Sequence, residues 1–151
     1  MMARLQSISA AATILAIAGT LSAGLAQQGN GGQEGGQNGK PYVVKDGKVD
    51  QHTYNGWRRY TESCMRCHGP DGAGSSYAPD LTDSLKHMTE EQFKDVVING
   101  RQNVSQASES VMPAFGEVED VVLYLDDIYA YLKARSDGML GRGRPERFDR
   151  S

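Results

Sequence analysis

Cys64, Cys67 and His68 form a Cys-x-x-Cys-His run in a chain that has only two cysteines. Two thiols three residues apart with an imidazole directly after them admit three chemistries. A structural zinc site needs four ligands, and beyond this trio His52 and His87 are the only obvious additional donors, neither of them in a second ligand pair. A redox dithiol belongs between a strand and a helix of a βαβ unit, whereas here a helical pattern precedes the pair and a glycine-rich stretch follows it. Covalent haem attachment asks only for what is present: each sulfur adds to one porphyrin vinyl group, and the adjacent imidazole reaches the iron from one face. The motif therefore predicts one haem c, bound through Cys64 and Cys67, with His68 on the iron.

Composition supports a fold built round such a group. A chain of 151 residues with 38% apolar residues and 18 glycines is one small domain with a modest core of its own, and a buried flat macrocycle would supply the missing apolar surface. The net charge of −3 argues against a nucleic-acid partner, because no basic field dominates.

The second axial position decides what the iron can do. Of the six methionines, Met1 and Met2 fall in an N-terminal leader and Met65 lies inside the attachment run, too close to reach the opposite face. Met88, Met112 and Met139 remain. Met112 precedes Pro113 in a stretch read as a loop before the last helix, where proline's fixed φ and missing N–H present the thioether rigidly. It is the expected distal ligand. Met88 is expected to pack in the core, and His52 and His87 to face solvent. His/Met ligation leaves no vacant iron site, so the expected role is one-electron transfer and not catalysis. A haem-based sensor with a displaceable Met112 is the alternative. A peroxidase is a third, disfavoured because no acid–base constellation accompanies a vacant site.

Residues 1–26 read as a secretory signal peptide, with Arg4, an apolar stretch from Ile8 to Leu21 and a small-residue exit at Gly24-Leu25-Ala26. The apolar run is too short and too diluted to be a retained membrane anchor. Export to the periplasm follows, with haem attachment after crossing. Residues 27–40 are almost all Gly, Gln and Asn, a flexible linker with nothing to bury. The domain proper spans 41–135. It opens with Val43-Val44 and Lys48-Val49 around Asp46-Gly47, a short β-hairpin signal. Helices are expected from Tyr54 to Cys64, from Thr89 to Gly100 with a capping box at Thr89 and Gln92, and from Glu117 to about Arg135. Little strand alternation shows elsewhere, so the fold class is all-α with long loops. Residues 136–151 form an extended, arginine-rich tail.

These residues resemble those of a class I c-type cytochrome from roughly Tyr54 to Arg135. The resemblance implies a cytochrome c fold, with few helices packed round one covalent haem. It implies thioether links at Cys64 and Cys67, His68 as proximal ligand and Met112 as distal ligand. It implies that Gly56 and Tyr60 of the first helix cross against Ile128, Tyr131 and Leu132 of the last. It also implies that the carbonyl of Pro79 accepts the proximal imidazole's N–H. A narrower resemblance, carried by Gly47-Lys-Val-Asp50, Tyr54-Asn-Gly-Trp-Arg-Arg-Tyr60, the run from Cys64 through Leu81 and the tail from Arg135 to Phe148, is to the methanol-metabolism-related periplasmic cytochromes. Those are similar in accepting electrons from quinoprotein (PQQ-dependent) alcohol dehydrogenases, notably lanthanide-type methanol dehydrogenase. That implies such a dehydrogenase as electron donor, a downstream cytochrome or oxidase as acceptor, and a monomeric carrier. One stretch departs from the minimal pattern: Gln102 to Val111 is polar and longer than a small cytochrome needs before its methionine.

Overall fold

A computed structural model describes residues 39–104 and 109–148. The expected signal peptide and all but the end of the expected linker lie outside the described residues. The chain begins with β1 (Val44–Lys45) and β2 (Lys48–Val49), which pair antiparallel. Asp46 and Gly47 between them have φ of 51° and 74°, the positive values that a tight two-residue hairpin turn demands.

Asp50 ends the hairpin and starts a helix in one step. Its carboxylate accepts from the backbone N–H of Thr53 at 3.1 Å, satisfying a donor that the first helical turn would leave open. Helix α1 therefore runs Gln51–Ser63, three residues earlier than the Tyr54 start expected from its apolar face. After α2 (Met65–His68) and a single 3₁₀ turn come α3 (Leu81–Ser84) and α4 (Glu90–Asn99). The Thr89–Gln92 capping box and the Gly100 stop are both formed, as their spacing predicts.

The expected order of elements needs two corrections. The polar stretch expected as a long loop holds a second hairpin, β3 (Arg101–Val104) with β4 (Glu109–Met112), in register from Arg101 opposite Met112 to Val104 opposite Glu109. The single last helix is two: α5 (Glu119–Leu123) and α6 (Leu125–Ser136), broken at Tyr124, whose φ of −113° and ψ of 23° are not helical. Val118 and Val122, which helical spacing puts on one apolar stripe with Val121, Leu125, Ile128, Tyr129 and Leu132 of the expected single helix, are 42% exposed.

Helix α6 is the spine. Leu125, Ile128, Tyr129, Ala130, Tyr131, Leu132 and Ala134 are all buried, so it is covered on nearly every side and α1, α3, α4 and α5 pack around it. The closest crossing is with α1, where Gly56 lies against the backbone of Asp127 and Tyr60 meets Tyr131 with ring centroids 5.6 Å apart. His52 is a correction of its own: its side chain is only 17% exposed and its Nδ1 pairs with Asp127 across the same crossing. Burial works against a charge there, but the Asp127 carboxylate, with Asp50 and Asp126 nearby, raises its pKa. His87 is exposed, and Met88 packs against the core as expected.

The tail is extended and bound. Strand β5 (Glu146–Arg147) joins the first hairpin parallel to β2, Leu140 is buried, and Arg144 donates to the Tyr54 hydroxyl at 2.6 Å with its guanidinium over the Tyr54 and Trp57 rings. Where α6 ends, Asp137 accepts from Lys133 at 2.6 Å, Tyr42 at 2.7 Å and Lys40 at 2.8 Å. Burial alone would raise its pKa, but these three donors outweigh it and hold the carboxyl at about 2. A folded-state pKa below the unfolded value means that stability from this group is present above about pH 4 and lost as pH falls towards the folded value. Asp137→Asn should lower stability at pH 7 by about 1–2 kcal/mol. Thermal melts of the two proteins should converge as the pH is lowered through this window.

Candidate functional site

The backbone of Cys64 caps α1 and opens α2, so the attachment run is a helical turn. The N–H groups of Cys67 and His68 both donate to the Cys64 carbonyl, at 3.2 and 3.0 Å. Residues three and four apart on a helical turn share a face, so both sulfurs and the imidazole project to one side. Neither cysteine is in a disulfide. Burial, helped by the neighbouring Cys67, pushes the Cys64 thiol up to about 12. A redox dithiol needs the opposite, a thiol whose pKa is lowered so that the thiolate is available. Among the described residues no cluster of His, Cys, Asp and Glu is arranged to hold a metal ion by itself, so the zinc alternative finds no ligand set there.

His68 is 7% exposed, and its Nδ1 lies 3.0 Å from the carbonyl oxygen of Pro79. A carbonyl can only accept, so Nδ1 carries the proton and Nε2 keeps its lone pair. That is the tautomer a metal-binding imidazole requires, fixed by a partner that also sets the orientation of the ring. The stretch between is pinned at several points. The Gly74 N–H donates to the His68 carbonyl at 2.8 Å. The Tyr60 hydroxyl donates to the Gly69 carbonyl and accepts from the Gly72 N–H at 3.0 Å. The Ser75 hydroxyl donates to the Cys67 carbonyl. Gly74 abuts the other side of the site: a Cβ there would lie 2.7 Å from the Asp80 nitrogen and 3.1 Å from the Pro79 carbonyl carbon.

Cys64, Cys67, His68 and Pro79 are thus brought together. Met112 sits elsewhere in the chain, at the end of β4 and not in a free loop, and is partly buried against the core. The turn after it is laced to α4. Phe115 and Gly116 donate backbone N–H groups to the carbonyls of Val97 and Ile98, at 3.0 and 3.1 Å. Gly100 leaves room for the Met112 carbonyl, which a Cβ would approach to 2.7 Å. Met88 also packs against the core, while Met139 is 53% exposed. The bracketing role of the Tyr60 hydroxyl and the positive φ of Asp71, 61° in the turn after His68, are additions to what the motif announced. An aromatic four residues before the first cysteine was the only local hint of the former.

A protein-family model described as cytochrome c oxidase, cbb3-type, subunit III matches residues 51–132. The chain is a class I c-type cytochrome. Cytochrome c-553I of Paracoccus denitrificans is 49% identical to it over 110 residues, covering 72% of this chain and 49% of that protein, so the chain spans about half the length of that relative. Cytochrome c-555 of Methylococcus capsulatus is 42% identical over 100 residues, 66% of this chain and 75% of the relative. The crystal structure of the c-type cytochrome XoxG from Methylobacterium extorquens AM1 matches with a TM-score of 0.65 and 46% identity, over 72% of this chain and 67% of that one. Kinship with the methanol-metabolism-related cytochromes, to which the sequence is similar, is upheld by these likenesses.

The cytochrome carries haem c, covalently bound, with its iron. The chain's own donors fit that group: two unpaired thiols on one face of a turn, and a buried imidazole whose outer nitrogen is already committed. The fold is a cytochrome c fold of helices with small sheets.

Proposed function

We propose that this cytochrome works in the periplasm as a monohaem, monomeric, non-enzymatic carrier. It takes single electrons from a PQQ-dependent alcohol or methanol dehydrogenase and passes them to a downstream cytochrome or oxidase. Residues 1–26 direct export and are removed, and 27–40 form a flexible tether. Cys64 and Cys67 hold the haem through thioethers, His68 is the proximal iron ligand, Met112 is the distal one, and Pro79 orients the proximal ring. When bound, the haem supplies an iron centre that cycles between two oxidation states.

The observation that carries this reading is the imidazole of His68, buried and locked by Pro79 with one nitrogen left to bind. A ring held this firmly keeps the same geometry in both oxidation states, which keeps the rearrangement accompanying electron transfer small. The turn after Met112 is tied down by backbone bonds to Val97 and Ile98, which holds that thioether against exchange. The choice of donor rests on the resemblance of the attachment run and the tail to the methanol-metabolism-related cytochromes and on the likeness to XoxG.

Stopped-flow mixing of the oxidised holoprotein with a purified quinoprotein methanol dehydrogenase and methanol should give rapid reduction in the visible haem bands. A cytochrome that dithionite reduces but the dehydrogenase and its alcohol do not would refute the donor. In the same preparation the reduced protein should refuse carbon monoxide at neutral pH. Ready binding would turn the assignment towards the sensor.

A further inference from the structure

We propose that the C-terminal strap, residues 139–148, positions the His68 imidazole by way of Asp71. The inference rests on His68 being the proximal iron ligand. Asp71 lies three residues after His68 in the 3₁₀ turn Pro70–Gly72, and its φ of 61° is unusual for a residue with a side chain. Asp and Asn tolerate that conformation best. The side chain is 10% exposed and is spent entirely on the strap: one carboxylate oxygen accepts from the Gly143 N–H at 3.0 Å, the other from the Arg142 guanidinium at 3.2 Å. The Asp71 carbonyl accepts from Arg135 at 3.3 Å, and the same guanidinium donates to the Leu140 carbonyl at 2.6 Å. Strap, α6 and turn are therefore joined at one residue.

From there the contacts run to the imidazole without a gap. The turn is closed by the bond from Gly74 N–H to the His68 carbonyl. Gly74 in turn rests on the backbone of Pro79 and Asp80, with no room for a side chain between them. Pro79 then supplies the carbonyl that holds Nδ1 of His68. A turn released from the strap lets Gly74 move off Pro79 and lengthens that bond. The imidazole becomes a poorer donor to the iron, which favours the reduced state. The far end of the strap is anchored twice, by β5 beside β2 and by Arg144 on Tyr54 and Trp57, so the β5 pairing alone still resists a pull at Asp71 when the Arg144 contacts are lost.

The test uses the full-length holoprotein. Asp71→Gly removes the latch while keeping the positive φ at no steric cost. Arg142→Gln weakens it without touching the turn, and so serves if the glycine variant fails to mature. Asp71→Asn retains an acceptor for Gly143. Arg144→Gln loosens the strap away from Asp71. Two quantities are read: the reduction potential, and the solvent exchange of the His68 Nδ1 proton in the reduced state by NMR. The expected result is a higher potential and about tenfold faster exchange in Asp71→Gly, corresponding to the loss of one charged hydrogen bond. The shift should be smaller in Arg142→Gln and largely restored in Asp71→Asn. Arg144→Gln should lower the melting temperature with both readings unmoved. Asp71→Gly or Arg142→Gln melting earlier with potential and exchange unchanged would overturn the proposal and leave the strap a stabilising element only. A wild-type protein whose spectra lack imidazole ligation would instead remove the reading beneath it.

Discussion

Gly56→Ala should abolish the folded holoprotein. A Cβ at this position would overlap the carbonyl of Asp127 on α6 and come within 2.9 Å of the Tyr131 Cβ. Neither obstacle can give way cheaply: one is backbone in the first turn of α6, the other the root of a side chain with no exposed surface. The two helices would have to separate along their crossing, withdrawing Tyr60 from Tyr131 and stretching the pair between His52 and Asp127. Overpacking a well-filled core costs about 1–3 kcal/mol when side chains can give way. Here backbone must move, so the loss should exceed about 4 kcal/mol, most of the margin of a small domain. Yields of haem-loaded protein and its thermal melt measure this. A Gly56→Ala protein that accumulates normally and melts within a few degrees of wild type would show that α1 and α6 do not cross this closely. Gly56→Ser should fail in the same way, since the obstruction is at Cβ.

That crossing was legible in the sequence only through resemblance, and the reason is physical. Signals within four residues fix local structure: Asp46-Gly47 makes its turn, Thr89 and Gln92 cap each other, and Gly100 ends its helix. The Cys-x-x-Cys-His run likewise announces its chemistry from a single turn. Features set by distant partners leave no such mark. The hairpin of β3 and β4 carries polar residues where alternation would betray a strand, and it is framed instead by contacts at its base, where Gly100 meets the Met112 carbonyl. The stripe from Val118 to Leu132 reads as one helix because its period is unbroken, yet the chain breaks at Tyr124, whose ring lies under the Arg59 guanidinium at 4.4 Å. His52 was read as solvent-facing because its partner, Asp127, is supplied by another helix. The tail's arginines look like solvated charge until Asp71, Tyr54 and Trp57 are seen beneath them.

A protein prevented from attaching haem should not reach this fold. In Cys64→Ala/Cys67→Ala the turn after α1 loses both covalent anchors, and the demands of the site remain. His68 would stay buried with Nδ1 bonded to Pro79 and its second nitrogen deprived of a partner, a penalty of about 1–3 kcal/mol for one orphaned polar atom. Between His68 and α3 the chain has a single 3₁₀ turn for regular structure, and its few pins cannot offset the entropy of ordering it, about 1–2 kcal/mol per residue. The crossing of α1 with α6 is closely packed, but it is too small to hold the domain alone. Far-UV circular dichroism of the double variant should show most of the helical signal gone and no cooperative melt, with rapid proteolysis between residues 69 and 80. Retention of the wild-type helical spectrum and of a sharp transition would mean that the polypeptide core suffices. In that case the haem would be a passenger on a scaffold complete without it, and the argument from composition that the macrocycle supplies missing apolar surface would fail with it.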